Sequence, residues 1–255
     1  MSEVPAIEMT DVAFSYNGEP VLLDVSLTVP PLDLVGIVGP NGGGKSTLLK
    51  LMMGLLQPDS GEVQVFGSRP HDVASCMGYV PQGFRYDRSM PITALEVVMM
   101  GRLGNGSPFG PWSHRARVRA REALERVGVR ALARRPFAEA SVGQQQRVLI
   151  ARALATEPEI LMLDEPTASL DIAAEREIYS ILRELNERMT IVLVTHDLGF
   201  VSNVVQTVLC VNQRVKRHPT TEMGEITGEL LEGLYGSDLR LVRHDQSDEA
   251  GYCGD

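Results

Sequence analysis

Gly39-Pro40-Asn41-Gly42-Gly43-Gly44-Lys45-Ser46 decides the reading of this chain, together with the apolar run Leu34-Val35-Gly36-Ile37-Val38 in front of it. The run reads as a buried strand and the apolar stretch from Lys45 to Leu56 as a helix, which leaves the glycines in the turn between them. Gly, four residues, then Gly-Lys-Ser in that setting is the spacing of a phosphate loop. Glycines let backbone N–H groups converge on phosphate oxygens, and the following helix adds the positive end of its dipole. Lys45 is then placed to reach β- and γ-phosphates, Ser46 to offer a hydroxyl to Mg²⁺, and Thr47 to support the loop from beside it. A Gly-rich turn that merely precedes a lysine explains neither the full spacing nor the flanking strand and helix. The motif does not by itself select a family, since small-molecule kinases, GTPases and motors share it.

Upstream and just downstream, residues Met1 to Phe66 read as short alternating strands broken by turns at Asn17-Gly18 and Pro58-Asp59-Ser60-Gly61, an antiparallel β region around the loop. From about Gly83 to Ala140 the texture becomes helical, notably Ala94 to Gly101 and Arg115 to Val127, where Ala120, Ala123, Leu124 and Val127 share a face. This reads as an inserted helical subdomain. Strands at Ile160 to Leu163 and Ile191 to Thr195 then alternate with helices at Gln144 to Ala155 and Ala173 to Arg188, the pattern of a parallel sheet covered by helices. The expected fold is α/β, one domain over 1–240, followed by a polar, disordered tail over 241–255.

Ile160-Leu161-Met162-Leu163-Asp164-Glu165 ends an apolar strand on two adjacent carboxylates, at the strand end where α/β proteins bind ligands. Asp164 suits the Mg²⁺ shell and Glu165 suits a general base that polarises attacking water. Read alone, the pair is an acidic cap leading into Pro166.

With these elements in place, the chain resembles the ATP-binding-cassette ATPases, because Tyr16, Gln82, Ser141-Val142-Gly143-Gln144, Ser169-Leu170-Asp171 and His196 follow in that family's order. The resemblance spans roughly Ile7 to Asn212. It implies a cassette-type nucleotide-binding fold, and ATP with Mg²⁺ as cofactors. It also implies that Tyr16 stacks on adenine, that Gln82 touches Mg²⁺ or attacking water, and that His196 hydrogen-bonds the γ-phosphate. By the same resemblance, Ser141, Gly143 and Gln144 contact ATP held by a second copy of the chain, in a head-to-tail homodimer. Asp171 either communicates between subunits or caps the Ala173 helix. Val142 departs from the family's first signature glycine and Ala140 from its leucine. A β-branched residue there is expected to obstruct close approach or restrain the loop, unless the position has φ below zero.

Finer texture resembles the zinc and manganese importer branch: the triple glycine before Lys45, Pro91-Ile92-Thr93 leading to Val97-Val98-Met99-Met100-Gly101-Arg102, Gln144-Gln145-Gln146-Arg147, and Leu234-Tyr235-Gly236. That implies an integral membrane permease as partner and, indirectly, an extracytoplasmic solute-binding protein, with cargo passing through the permease. Accordingly no cargo ligand is assigned to His71, His114, His218 or His244. Importers of iron chelates or cobalamin share much of this texture. A soluble cassette ATPase acting on DNA or ribosomes is an alternative, although a second cassette or long coiled-coil insertion would then be expected. A non-hydrolysing regulatory module is a third.

Composition bounds these readings. The formal net charge of -9 argues against a general nucleic-acid binder. Cys76, Cys210 and Cys253 are scattered and odd in number, as reduced thiols are. No run approaches the roughly 18 apolar residues of a membrane-spanning helix, so the expected location is cytoplasmic, peripheral on the inner face of the cell membrane. The arginines at Arg115, Arg117, Arg119, Arg121 and Arg126 read as a solvated helix face, or as a surface for acidic permease groups or lipid heads.

Overall fold

The computed structural model describes residues 4–83, 91–101 and 112–219, and within them a six-stranded sheet divides two hydrophobic cores. Its strands are β3 (Leu34–Val38), β5 (Met77–Val80), β6 (Ile160–Asp164), β7 (Thr190–Val194), β8 (Thr207–Asn212) and β9 (Arg214–Pro219), in the order β5-β6-β7-β3-β8-β9. All neighbours are parallel except β8 and β9. Residues of β3, β6 and β7 are buried throughout, because both faces are covered. Side chains alternate between the cores with the strand period of two: Ile160 and Met162 face one, Leu161 and Leu163 the other.

The first core lies between that sheet and a three-stranded antiparallel sheet, β2-β1-β4, built from β1 (Ile7–Tyr16), β2 (Glu19–Val29) and β4 (Ser60–Val65). Asn17 and Gly18 take φ of 51° and 84°, the paired positive values of a type I′ hairpin turn. Helix α1 (Lys45–Met52) fills this layer with Leu48, Leu49, Leu51 and Met52. It ends four residues before the expected Leu56, and Gly54 follows in a left-handed conformation with φ 68°.

On the opposite side lie α2 (Ala94–Met100), α3 (His114–Arg126), α4 (Val142–Leu154), α5 (Ile172–Asn186) and α6 (Leu198–Val204). Thr93 opens α2 and Ser141 opens α4 through reciprocal capping boxes with Glu96 and Gln144. The expected face of Ala120, Ala123, Leu124 and Val127 is buried in the second core. Arg119 pairs with Glu157 and Glu122 on the outer side of α3, whereas Arg115, Arg117, Arg121 and Arg126 are exposed. The expected tail over 241–255 and the Leu234-Tyr235-Gly236 cue lie outside the described residues.

Candidate active site

Parallel strands end on the same edge, and strand order then decides what meets there. Gln82 follows β5, Asp164 and Glu165 close β6, His196 follows β7, and the glycine loop follows β3. Gln82, Glu165, His196, Lys45 and the loop residues Asn41, Gly42, Gly44, Ser46 and Thr47, together with Tyr16 and Val21 from the antiparallel sheet, line a cleft of about 540 Å³, while Asp164 is buried and reaches it only through its hydrogen bond with Ser46. Tyr16 is 43% exposed and makes a T-shaped ring contact with Phe14 at 4.8 Å, so much of it stays outside the core.

Glycine is required at the loop's base for space. A Cβ at Gly39 would sit 2.0 Å from the Val211 carbonyl oxygen, and one at Gly43 would sit 2.9 Å from the same atom. Gly44 caps α1 at φ 99° against Leu22. Pro40 contributes its carbonyl: Lys45 Nζ donates to Gly39 O and Pro40 O, both at 2.9 Å. Burial pulls the Lys45 ammonium below its usual range, and the Glu165 and Asp164 charges oppose that fall. Thr47 is buried under the loop.

Ser46 Oγ donates to Asp164 Oδ1 at 3.1 Å. Burial raises the Asp164 carboxyl above the ordinary carboxylate range, and the Ser46 hydrogen bond counters it. Two hard oxygens side by side, the Ser46 hydroxyl lining a cleft with room for phosphates and the Asp164 carboxylate bonded to it, fit Mg²⁺, which keeps several ligands from water and substrate. Among the described residues there is no cluster of three or more His, Cys, Asp or Glu that could hold a metal ion.

Glu165 is gripped from two sides. Gln82 Nε2 donates to its Oε2 at 2.7 Å, and His196 Nε2 lies 2.7 Å from its Oε1. An ionised carboxylate only accepts, so the His196 bond requires the tautomer with hydrogen on Nε2. Glu165 also holds φ at 49°, a left-handed value that costs a non-glycine residue roughly 1 kcal/mol or more. Its N–H donates to Val194 O, and its own carbonyl accepts from Ala168 N–H. The strain sits where the side chain is aimed into the cleft.

The Ser141 segment is elsewhere. Ser141, Gly143, Gln144 and Asp171 are absent from the lining of the Lys45 cleft among the described residues. Ser141 Oγ accepts from Gln144 N–H, and Asp171 Oδ1 caps α5 by accepting from Ala174 N–H at 2.8 Å. Gly143 has a packing reason of its own, since a Cβ there would meet Ala174 Cβ at 2.9 Å. Val142 lies in the first turn of α4, is not among the positive-φ residues, and is 59% exposed. The expected loss of φ freedom is therefore not exacted at this position, because a helical first turn suits any β-branched residue. Val142→Gly is expected to leave ATP turnover within about threefold of wild type and to lower stability by up to about 1 kcal/mol. Phosphate release and chemical denaturation measure both; a tenfold change in turnover would restore the obstruction.

Two contributors escaped the sequence reading. Val21 forms the cleft wall beside Tyr16 with no motif to mark it. Gln145 Nε2 donates to Phe137 O and Ala140 O, fixing the segment ahead of Ser141.

The family described as "ABC transporter" matches residues 22–168. The chain is 38% identical to the manganese transport system ATP-binding protein MntB of Bacillus subtilis, over 93% of this chain and 95% of that protein. It is 40% identical to the zinc transport system ATP-binding protein TroB of Treponema pallidum, over 91% and 87%. Among solved structures, it is similar to an inward-facing putative metal-chelate type ABC transporter, with 31% identity and a TM-score of 0.81 over 91% of this chain and 89% of that one. A dimeric ATP-binding cassette bound to ADP and phosphate gives 30% identity and a TM-score of 0.72, over 84% and 98%.

Proposed function

The chain belongs to the ABC transporter family, and from that premise we propose that it is the ATP-hydrolysing subunit of an importer for zinc or manganese, working as a pair beneath an integral membrane permease. The observation that carries the catalytic part is the double grip of Gln82 and His196 on Glu165, beside Lys45 and Ser46 in one cleft, with Asp164 hydrogen-bonded to Ser46. In this reading the loop N–H groups and Lys45 bind the phosphates of ATP, and Tyr16 offers its ring to the base. Ser46 and Asp164 would hold Mg²⁺, with Gln82 as a further oxygen donor, and the ion would supply neutralisation of the phosphate oxygens. Glu165 accepts a proton from the attacking water, and His196 keeps the carboxylate oriented while facing the γ-phosphate. These roles, read together, give a hydrolytic site and not a binding module.

Ser141, Gly143 and Gln144 lie away from this cleft, which favours their service to ATP held by a second copy. The similarity to a dimeric cassette supports the same arrangement. Two chains then bind two ATP molecules head to tail, closure moves the permease, and hydrolysis reopens the pair. No helix among the described residues is long and apolar enough to cross a membrane, so the membrane step belongs to the permease. A cytoplasmic chain, peripheral on the inner face, and a solute-binding protein outside complete the reading.

The cargo rests on the relatives named for manganese and zinc. A metal-chelate importer is the second reading, favoured by the similarity to the metal-chelate type transporter. Total cellular zinc, manganese, iron and cobalt under metal limitation separates them, in a strain lacking this chain and in one carrying Glu165→Gln. The expected result is the same selective zinc or manganese deficit in both; an iron or cobalt deficit would move the assignment to chelates.

A further inference from the structure

We propose that Tyr179 is a positioning residue that holds the Glu165 and His196 segments in register, a role that rests on the hydrolytic reading of those two residues. Tyr179 belongs to α5, does not touch the cleft, and is buried. Its hydroxyl meets three side chains. It donates to Glu175 Oε1 at 3.0 Å, and its oxygen lies 3.1 Å from Thr167 Oγ1 and 3.4 Å from Thr195 Oγ1. A phenol has one hydrogen and two lone pairs, so with the hydrogen given to the carboxylate, the two threonine hydroxyls donate inward.

The partners are placed at the two ends that matter. Thr167 stands two residues after Glu165, and Thr195 stands directly before His196. Thr195 is itself buried and anchored: its N–H donates to Ile37 O in β3, and its Oγ1 accepts from Asp197 N–H at 3.1 Å. Asp197 caps α6 by accepting from Phe200 N–H. The ring of Phe200 in turn stacks on the Tyr179 ring at 3.6 Å and 11°. One side chain therefore ties the turn after β6 to the turn after β7 and to the helix that follows.

The tie acts on a contact that tolerates little error. His196 Nε2 and Glu165 Oε1 are 2.7 Å apart, and hydrogen bonds weaken steeply with misalignment. Beyond β6 and β7 the backbone pairs for one residue more, Glu165 N–H donating to Val194 O and Thr195 N–H to Ile37 O, and the turns that follow rest on side-chain contacts such as this one. Burial pushes the phenol up to about 12, so the hydroxyl keeps its hydrogen across the physiological range. The stack alone would keep Phe200 in place. The hydroxyl, and not the ring, is the part of Tyr179 that reaches Thr167 and Thr195.

Tyr179→Phe keeps the ring and deletes the link; Thr195→Val cuts it from the other side. Both full-length variants are expected to lower kcat for ATP about tenfold with KM within about twofold, and the double variant to be no slower than either alone. In a His196→Ala background, Tyr179→Phe should cost little more. The side-chain nitrogen resonance of His196, assigned by its loss in His196→Ala, should move toward that of an exposed imidazole in Tyr179→Phe. An unmoved His196 resonance, or equal slowing of the His196→Ala protein by Tyr179→Phe, would overturn the role. If wild-type turnover were insensitive to Glu165→Gln, the hydrolytic reading itself would fail, whereas the resonance would still report whether Tyr179 positions His196.

Discussion

Glu165→Gln is expected to lower ATP turnover about a thousandfold while ATP affinity changes by less than about threefold, because a positioned base contributes 10²–10⁴ to rate and little to ground-state binding. The substitution is close to isosteric. The amide oxygen can still accept from Gln82 or His196, so the strained backbone at φ 49° and the two turns it joins are retained. What is lost is a group able to take a proton from water. A filter-binding or fluorescent-nucleotide titration beside a phosphate-release assay separates the two effects. Turnover reduced by less than about tenfold would assign the base elsewhere.

Lys45→Ala is expected to weaken ATP binding ten- to a hundredfold, with turnover lost at cellular ATP. Lys45 Nζ already sits on the loop carbonyls of Gly39 and Pro40, 2.9 Å from each, which fixes it at the loop's mouth. Hydrogen bonds to charged groups are worth about 1.5–3 kcal/mol each, and one such bond lost to phosphate corresponds to that loss of affinity. Stability should respond far less. Burial disfavours the ammonium there, so its removal relieves desolvation while two carbonyls lose a donor. Calorimetric titration and thermal unfolding of the same sample decide it: unaltered affinity, or collapse of the fold, would each contradict the assigned role.

The sequence carried the architecture wherever a motif sat on an unambiguous apolar strand. Leu34 to Val38 and Ile160 to Leu163 were recognisable because both faces of the sheet are covered, and their carboxyl ends located the glycine loop and the acidic pair. Boundaries were less legible: α1 was read through to Leu56, although Gly54 reverses the chain sooner. Strand β5 is four residues long, and β9 is Arg214–Pro219 with a charged sequence, so neither shows a hydrophobic period of its own.

The candidate site was legible to the same unequal degree. Tyr16, Gln82 and His196 were readable only through the family's order, since each is an ordinary residue when seen alone. Two readings of Val142 stayed open because sequence does not display φ; the capping box of Ser141 and Gln144 begins a helix here, the negative-φ alternative. Gly143 was read as a contact to the second copy's ATP, and its packing constraint against Ala174 on α5 had no sequence signal. Tyr179 left no trace in the sequence reading, because its partners Thr167 and Thr195 converge only after the β6 and β7 turns are folded.

The mass of the Glu165→Gln protein in solution with ATP, by sedimentation or light scattering, tests the paired engine most directly. The expected result is a species of twice the chain's mass with saturating ATP and one of single mass with ADP, with the doubled species lost when Lys45→Ala is added. A single-mass species with ATP demonstrably bound would contradict the two-chain site.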